Sequence, residues 1–402
     1  MATKVAKSVQ KRRVFYIPGY DPFPPRRYRE LYREESRKQA AISGYEIALT
    51  SDKGSANYGW IIDSRIDGQA VSTQMEVLVW TDLVRTSMVQ SIPATYAQLV
   101  RTAWIYIATG TLWRLTWLRK GPVIAALYPI VMLLVQLLTA VGLTYGAARL
   151  LGALHPMAAW LGLVVIPFVL VGFRKKDNIF FAYYLMHDYA YSARLQGATP
   201  PDLQDRMDQF RDQIAQAMQS DVDEVLVIGH SSGAHLAISL LADLLRDRPG
   251  PTAKPALALL TLGHVVPMIS FLPRADQLRR DLRYLGQSED LTWVDVSAPG
   301  DGCAFALCDP VAVSGVATDN QKWPLVLSAA FTKTLQPKTW KSLRWRFFRL
   351  HFQYLCAFDR PRWYDYFQIT AGPLTLQDRY ATRRPSKSTI NRPASKYTSV
   401  AA

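Results

Sequence analysis

The sequence predicts an α/β fold, in which a mostly parallel sheet covered by helices is interrupted by a two-helix transmembrane hairpin. Three observations support this prediction. After residue 220, short apolar segments alternate with amphipathic ones, as in a parallel sheet with helical crossovers. Residues 121–148 and 150–173 contain no Asp, Glu, Lys or Arg. A motif bracketed by glycines joins one predicted strand to the helix that follows it.

Composition excludes several classes of protein. The chain has 402 residues, of which 49% are hydrophobic and 20% charged, so it can bury a sizeable core and is not disordered as a whole. Its three cysteines and six histidines form neither a disulfide framework nor a zinc-binding spacing. We therefore expect no metal and no cofactor, and the free thiols fit a reducing compartment.

The net charge of +15 is concentrated at the two ends of the chain. Residues 1–40 carry 11 Lys or Arg against 4 Asp or Glu, and residues 333–402 carry 14 against 3. Such ends could bind nucleic acid or anionic lipid. The apolar segments favour the anionic leaflet of a lipid bilayer, and no aromatic-basic motif supports nucleic acid. Residues 376–402 are basic and polar, so we expect a disordered tail there.

Residues 1–100 are predicted to form the N-terminal part of the sheet. Residues 14–17 are β-branched and aromatic and end at Pro18-Gly19, which indicates a buried strand followed by a turn. The Pro24-Pro25 pair then opens a helix with apolar residues at helical spacing. Further strands are predicted over residues 45–49, 59–62 and 75–80.

Residues 101–176 are predicted to contain the membrane part. Trp104, Tyr106, Trp113 and Trp117 indicate an interfacial helix, and two spans follow at about residues 122–145 and 155–173. Lys and Arg cluster on both outer flanks, while the connecting turn offers one arginine. The positive-inside rule then predicts a cell-membrane protein with two spans and cytoplasmic N- and C-terminal parts. The alternative is an apolar cap folded over the site.

Residues 177–375 are predicted to form the catalytic part of the α/β domain. The predicted helices and strands, in chain order, are helix 201–219, strand 224–228, helix 234–245, strand 256–262, helix 275–285 and strand 292–296.

The motif that carries chemistry is Gly229-His230-Ser231-Ser232-Gly233. It lies between an apolar strand and a helix, where a serine is held at the apex of a sharp turn. Small residues at Gly229 and Gly233 let the two backbones cross closely. The N-terminal amides of the helix behind the serine favour developing negative charge.

With this motif, residues 13–50 and 195–360 resemble the α/β-hydrolase superfamily. The resemblance implies that Ser231 is a nucleophile, followed along the chain by an acid and then a histidine. The acid is expected just after the strand at residues 292–296, where Asp301 is the first choice and Asp309 the alternative. His351 is the only histidine after Asp301, so chain order makes it the base.

The same resemblance implies an oxyanion hole made of two backbone N–H groups. One belongs to Ser232, directly after the nucleophile. The other is assigned to Tyr20 in the loop after the first strand, with Gly19 permitting close approach. Pro18 stands where the family often has histidine, so the second donor stays open.

We therefore expect a membrane-anchored serine hydrolase that cleaves carboxylic esters, of lipid or acyl type, through an acyl-enzyme. The expected partners are the bilayer and an acyl ester. An acyltransferase on the same triad, or an inactive hydrolase-fold scaffold in the membrane, are the alternatives. The substrate and the oligomeric state stay open.

Overall fold

The computed structural model describes residues 8–52, 54, 57–247 and 255–401, and these build an α/β fold on an eight-stranded sheet. The strand order is β2-β3-β4-β1-β5-β6-β7-β8. The strands are β1 (Lys11–Ile17), β2 (Glu46–Ser51), β3 (Tyr58–Ile66), β4 (Gln69–Val77), β5 (Glu224–His230), β6 (Ala256–Leu262), β7 (Thr292–Ser297) and β8 (Leu325–Ser328).

The sheet is mostly parallel, and its first strand lies in its middle. β1 pairs in parallel with both β4 and β5, and β5 to β8 continue in parallel. β2, β3 and β4 form an antiparallel meander at one edge. Ile17 lies opposite Gly229, His230 opposite Leu262, and Leu262 opposite Val296. The loops that follow β1, β5, β6 and β7 therefore meet at one edge of the sheet.

Helices cover both faces of this sheet. Those before β5 are α1 (Arg26–Ser43), α2 (Thr81–Met88), α3 (Ile92–Ala108), α4 (Thr111–Thr116), α5 (Lys120–Gly152), a 3₁₀ helix (Pro156–Val164), α6 (Val165–Lys175), α7 (Asp177–Phe180), α8 (Ala182–Ala193) and α9 (Pro201–Ala217). Those after β5 are α10 (Gly233–Arg246), α11 (Pro267–Ser270), α12 (Asp276–Gln287), α13 (Pro310–Val313), α14 (Phe331–Thr334), α15 (Pro337–Leu343), α16 (Phe347–His351), a 3₁₀ helix (Phe352–Leu355), α17 (Tyr366–Ala371) and α18 (Leu376–Tyr380).

The central strands are apolar on both faces because each face is covered. Val225 and Val227 of β5 join the hydrophobic cluster formed with α9, α10 and α12. Leu226 and Ile228 join the opposite cluster, formed with α1, α16 and α17. Side chains alternate between the faces of a strand, so the unbroken apolar run at residues 225–228 follows from burial on both sides.

Two apolar helices are long enough to cross a membrane by length and composition. They are α5 and the segment Pro156–Lys175. In the most apolar 18-residue stretch of each, only 28% and 11%, respectively, is buried within the protein. α5 has 33 residues, which is about 50 Å of helix and longer than the predicted span. A Cβ atom at Gly162 would lie 2.9 Å from the backbone nitrogen of Ala148. The two segments thus pack as a close hairpin.

The structure corrects two sequence-based expectations. The segment 376–402 does not extend away as a disordered tail over its described part. The backbone of Ile390 pairs with Leu307 and Asp309, and Ala394 is buried. These backbone hydrogen bonds join residues far apart in sequence, and composition does not reveal them. Tyr106 does not face a membrane interface: it is buried and its hydroxyl donates to the carbonyl oxygen of Met268.

Candidate active site

Ser231 lies at the apex of the turn between β5 and α10, in a strained backbone conformation. Its φ is 56°, in the left-handed region that non-glycine residues rarely adopt. A Cβ atom at Gly229 would lie 2.6 Å from Cα of Ala234, and one at Gly233 would collide with the carbonyl oxygen of Ile17. Both glycines are therefore required by the crossing of β1, β5 and α10 at this point.

The loop after β1 lies directly against the serine. A Cβ atom at Gly19 would be 2.9 Å from Cβ of Ser231, so only glycine fits there. Trp80 Nε1 donates to the carbonyl oxygen of Pro18, and the hydroxyl of Tyr184 donates to the backbone carbonyl oxygen of Tyr20. Among the described turns and loops, the backbone N–H groups of Tyr20 and Ser232 donate to no carbonyl. The structure thus places Gly19, Tyr20 and Ser232 around the serine.

Asp301 and His351, 50 residues apart, are hydrogen-bonded to each other. His351 Nδ1 lies 2.7 Å from Asp301 Oδ2. The same oxygen accepts a hydrogen bond from the hydroxyl of Tyr354, and Oδ1 accepts one from the backbone N–H of Cys303. Because a carboxylate only accepts, Nδ1 carries the hydrogen and the lone pair of neutral His351 lies on Nε2.

The surroundings keep Asp301 ionised. Burial by itself would raise the pKa of Asp301, but the charge of His351 and the three hydrogen bonds outweigh burial and lower it. Burial raises the pKa of Tyr354 well above its usual value, so this phenol stays protonated and keeps donating. The pair therefore consists of an anionic acceptor and an imidazole in a fixed tautomer.

His230 holds His351 from behind. The two imidazole rings stack with centroids 4.8 Å apart, and His230 Nε2 lies 3.1 Å from the carbonyl oxygen of His351. His230 Nδ1 lies 3.2 Å from the hydroxyl of Tyr16. Burial and the neighbouring His351 lower the pKa of His230 to about 3. His230 thus stays neutral and does not oppose a positive charge on His351.

Ser231, Ser232 and His351 line one cavity of about 840 Å³. His351 Nε2 is buried and accepts no hydrogen bond from any residue that the structure describes, so its bond to Ser231 Oγ is not formed here. In serine enzymes this hydrogen bond is often long until a substrate is bound. The structure brings the predicted residues Ser231, Asp301 and His351 to one site and leaves Nε2 of His351 without a hydrogen-bond partner among the described residues.

Two contributors to this site escaped sequence analysis, whereas His230, which lies in the motif, was expected to pack or to line the pocket and does so. Tyr354 holds Asp301 through a tertiary contact that leaves no sequence signal. Gly263, with a φ of 53°, lies where a Cβ atom would be 3.1 Å from His351 Cε1. A lone glycine directly after a predicted strand is a weak signal of such a close approach.

Asp309, the alternative acid, has a structural role. Its Oδ1 accepts from the backbone N–H groups of Val311 and Ala312, which begin α13, and its Oδ2 accepts from Gln321. Burial raises the pKa of Asp309 to about 6. It is an N-cap and does not contact His351.

One cluster has the composition of a metal site. The ligand atoms of Asp301, Cys303 and His351 lie within 4.8 Å of one another. However, both oxygens of Asp301 already accept hydrogen bonds and His351 Nδ1 is engaged. Burial also raises the pKa of the Cys303 thiol, which disfavours the thiolate that metals prefer. The arrangement suits proton transfer better than metal binding.

The start of the apolar hairpin and the short helix that follows the hairpin form one wall of the cavity. The first three turns of α5 contribute Ile124 and Tyr128, and α7 contributes Ile179 and Phe180. A Cβ atom at Gly121 would lie 3.1 Å from Cα of Gly302, directly after Asp301. The helix that could enter a membrane therefore packs on the loop that carries the acid.

Comparisons with known proteins give no match. No protein-family model matches the sequence, and neither a search of curated proteins nor a search of solved structures finds a match. The eight-stranded, mostly parallel sheet flanked by helices is compatible with an α/β hydrolase. Any functional conclusion must therefore be drawn from the geometry of the site.

Proposed function

We propose that this chain is a membrane-anchored serine hydrolase that cleaves carboxylic esters of lipid or acyl type. One observation carries the proposal: a serine in a strained turn shares a cavity with an imidazole whose other nitrogen is held by a buried carboxylate at 2.7 Å. Strained backbone conformations cluster at active sites, and a serine nucleophile is activated by a nearby base that a third group orients.

In the proposed reaction, Ser231 Oγ bonds to the ester carbonyl carbon as its proton moves to His351 Nε2. The carbonyl electrons move to oxygen, where the backbone N–H groups of Ser232 and Tyr20 stabilise the negative charge. The intermediate then breaks its bond to the alcohol, which leaves with the proton from His351. Water, deprotonated by the same imidazole, hydrolyses the acyl-enzyme and regenerates Ser231. Asp301 stabilises the imidazolium in both steps.

Labelling with a fluorophosphonate tests the proposal directly. Such a probe phosphonylates an activated serine, because its phosphorus resembles the tetrahedral intermediate of ester cleavage. We expect a single addition to the detergent-solubilised full chain, located by peptide mass spectrometry on Ser231. Labelling at Ser232 alone, or no labelling at all, would contradict the proposal.

The cavity wall supports a lipidic substrate. Most of its lining is apolar or aromatic, and Ile124 and Ile179 of this wall are 65% and 66% exposed. Exposed apolar side chains at this density around a cavity mark a lipid or ligand interface. If α5 and the segment Pro156–Lys175 cross a membrane, acyl chains can enter the cavity from the bilayer.

A basic and aromatic segment borders the same cavity. We call residues 338–349 the rim segment. No acidic residue lies between residues 320 and 358, whereas the rim segment alone contains five Lys or Arg. Trp345 is 72% exposed and Phe347 50% exposed, and Trp340 packs on Gly300 beside the acid loop. Such a segment suits the headgroup region of an anionic leaflet.

Reversing two rim charges is expected to weaken this contact. In vesicles containing phosphatidylglycerol, Lys341→Glu with Arg344→Glu should reduce hydrolysis of a bilayer-embedded ester by about 30-fold or more, since each basic group near an anionic surface contributes about 1 kcal/mol. Neither residue lines the cavity, so hydrolysis of a short soluble ester should not change. The measurement is the ratio of the two rates.

The matched control reverses two exposed charges elsewhere, Arg283→Glu with Lys322→Glu. Both side chains are exposed and outside the cavity lining, so this double variant should retain the wild-type ratio. An equal loss in both double variants would attribute the effect to net charge and contradict docking by the rim segment.

A further inference from the structure

The catalytic cavity contains a carboxyl group that the proposed mechanism does not use. Asp188, on α8, lines this cavity together with Ser231, Ser232 and His351. It also lines a small adjoining chamber that extends behind Ser232 along α10. The preceding residue, His187, does not line this cavity, and its side chain forms a hydrogen bond with Gln98. Asp188 is thus the acidic group that α8 presents to the nucleophile.

No partner within the described chain satisfies this carboxyl. Among residues 8–52, 54, 57–247 and 255–401, none donates a hydrogen bond to Asp188 or forms an ion pair with it. Asp188 is half-buried and lines the cavity, so a ligand there can reach its carboxyl. A titratable group in a cleft whose environment shifts its pKa is a candidate functional residue. The hydroxyls of Tyr184, Tyr106 and Tyr20 are already hydrogen-bonded to other residues.

The titratable groups facing Asp188 come from five elements. They are Tyr184 and Tyr189 on α8, Tyr106 on α3, Tyr20 after β1, Cys303 after β7 and His351 on α16. Burial raises the pKa of Asp188 to about 7, and His351 offsets this only in part. A carboxyl in such a place gains stability from a hydrogen-bond donor on a ligand.

We propose that Asp188 determines specificity by accepting a hydrogen bond from a hydroxyl group of the substrate, so that the preferred substrates are esters with a free hydroxyl near the scissile bond. This proposal rests on the proposed hydrolase function. A hydroxyl fits better than a cationic group, because Arg346 lines the same cavity without an ion pair to any described acidic residue and would oppose a second positive charge.

A matched pair of soluble esters tests the proposal. Glyceryl monobutyrate carries free hydroxyls next to its ester, and propyl butyrate lacks them. The wild-type protein should prefer the glyceryl ester in kcat/KM by about tenfold or more, since sites built to hydrogen-bond a hydroxyl reject analogues without it. Asp188→Leu should abolish the preference, whereas Asp188→Asn, whose amide oxygen still accepts, should retain part of it.

The control is Asp202→Asn, an exposed acid paired with Arg194, which should keep the wild-type preference. An unchanged ratio in Asp188→Leu would overturn the proposal. So would a choline ester preferred by the wild type but not by Asp188→Leu, because that result would assign Asp188 to a cation. If the wild type labels at Ser231 and hydrolyses both esters equally, this inference fails alone. If it neither labels nor hydrolyses, the proposed function fails and this inference with it.

Thermal stability provides a readout independent of activity. The pKa of Asp188 is raised in the folded state, from a usual value of 3.8 to about 7, so folding opposes its ionisation. The resulting destabilisation begins above the lower value and is complete above the upper one. Asp188→Asn removes it, so the Tm advantage of this variant over wild type should grow from pH 5 to pH 8. No advantage at pH 8 would show that water or a protein group already satisfies the carboxylate in the free protein, and would overturn the inference that Asp188 awaits a hydroxyl of the substrate.

Discussion

Replacement of Ser231 by alanine is expected to lower kcat on soluble esters by about 10⁶-fold, the loss found when a triad nucleophile is removed. The hydroxyl at this position is the group to which the acyl chain would be transferred. No other described serine combines a left-handed φ, here 56°, with a place in the same cavity as His351. The measurement is kcat/KM on p-nitrophenyl butyrate, with fluorophosphonate labelling in parallel.

Two further variants make this result specific. Ser232→Ala keeps the backbone N–H that faces the proposed oxyanion, so it should label and lose far less activity. Ser231→Gly should be as inactive as the alanine variant yet more stable than wild type, by about 0.5–1 kcal/mol, because glycine adopts a positive φ without strain. Retained activity in Ser231→Ala would contradict this assignment of the nucleophile. If Ser232→Ala were inactive at the same time, Ser232 would be the nucleophile instead. Either result would assign the nucleophile to another residue, whereas a wild-type protein without labelling or activity would favour the inactive membrane scaffold.

The strand–helix alternation predicted the C-terminal half of the sheet because its signals are local. β5, β6 and β7 begin at the predicted residues and extend at most two residues beyond the predicted ends. β8 was missed because it has only four residues, Leu325–Ser328, and no alternation to reveal it. The place of β1 in the middle of the sheet was not predictable either, since strand order depends on contacts between distant segments.

Sequence analysis could predict those residues of the site whose type is dictated by the backbone around them. Gly229 and Gly233 were readable because close crossing excludes side chains there, and chain order then restricted the histidine to one residue. The location of Asp188 in the cavity could not be predicted, because the residues around it come from segments distant in sequence, from α3 to α16. A carboxylate on a predicted helix carries no sign of whether water or a cavity will surround it.

The second large effect concerns the acid. Asp301→Asn is expected to lower kcat by about 10⁴-fold, the loss typical when the acid of such a triad becomes neutral. The amide can present its NH₂ group to His351 Nδ1, which favours the tautomer with hydrogen on Nε2 and removes the base. The anionic charge that stabilises the imidazolium is lost as well. Binding of the ester should change little, so the fall should appear in kcat rather than in KM.

Asp309→Asn separates this role from general destabilisation. In Asp309→Asn the amide oxygen can still cap α13 through Val311 and Ala312, but the new NH₂ group cannot accept from Gln321. Stability should fall by about 1 kcal/mol for this lost hydrogen bond, while kcat stays near wild type. The opposite pattern, with Asp309→Asn inactive and Asp301→Asn active, would make Asp309 the acid. That outcome would require His351 to leave Asp301, although the 2.7 Å hydrogen bond and the donation from Tyr354 hold the pair together. The two variants therefore test whether this buried pair serves catalysis or only stabilises the fold.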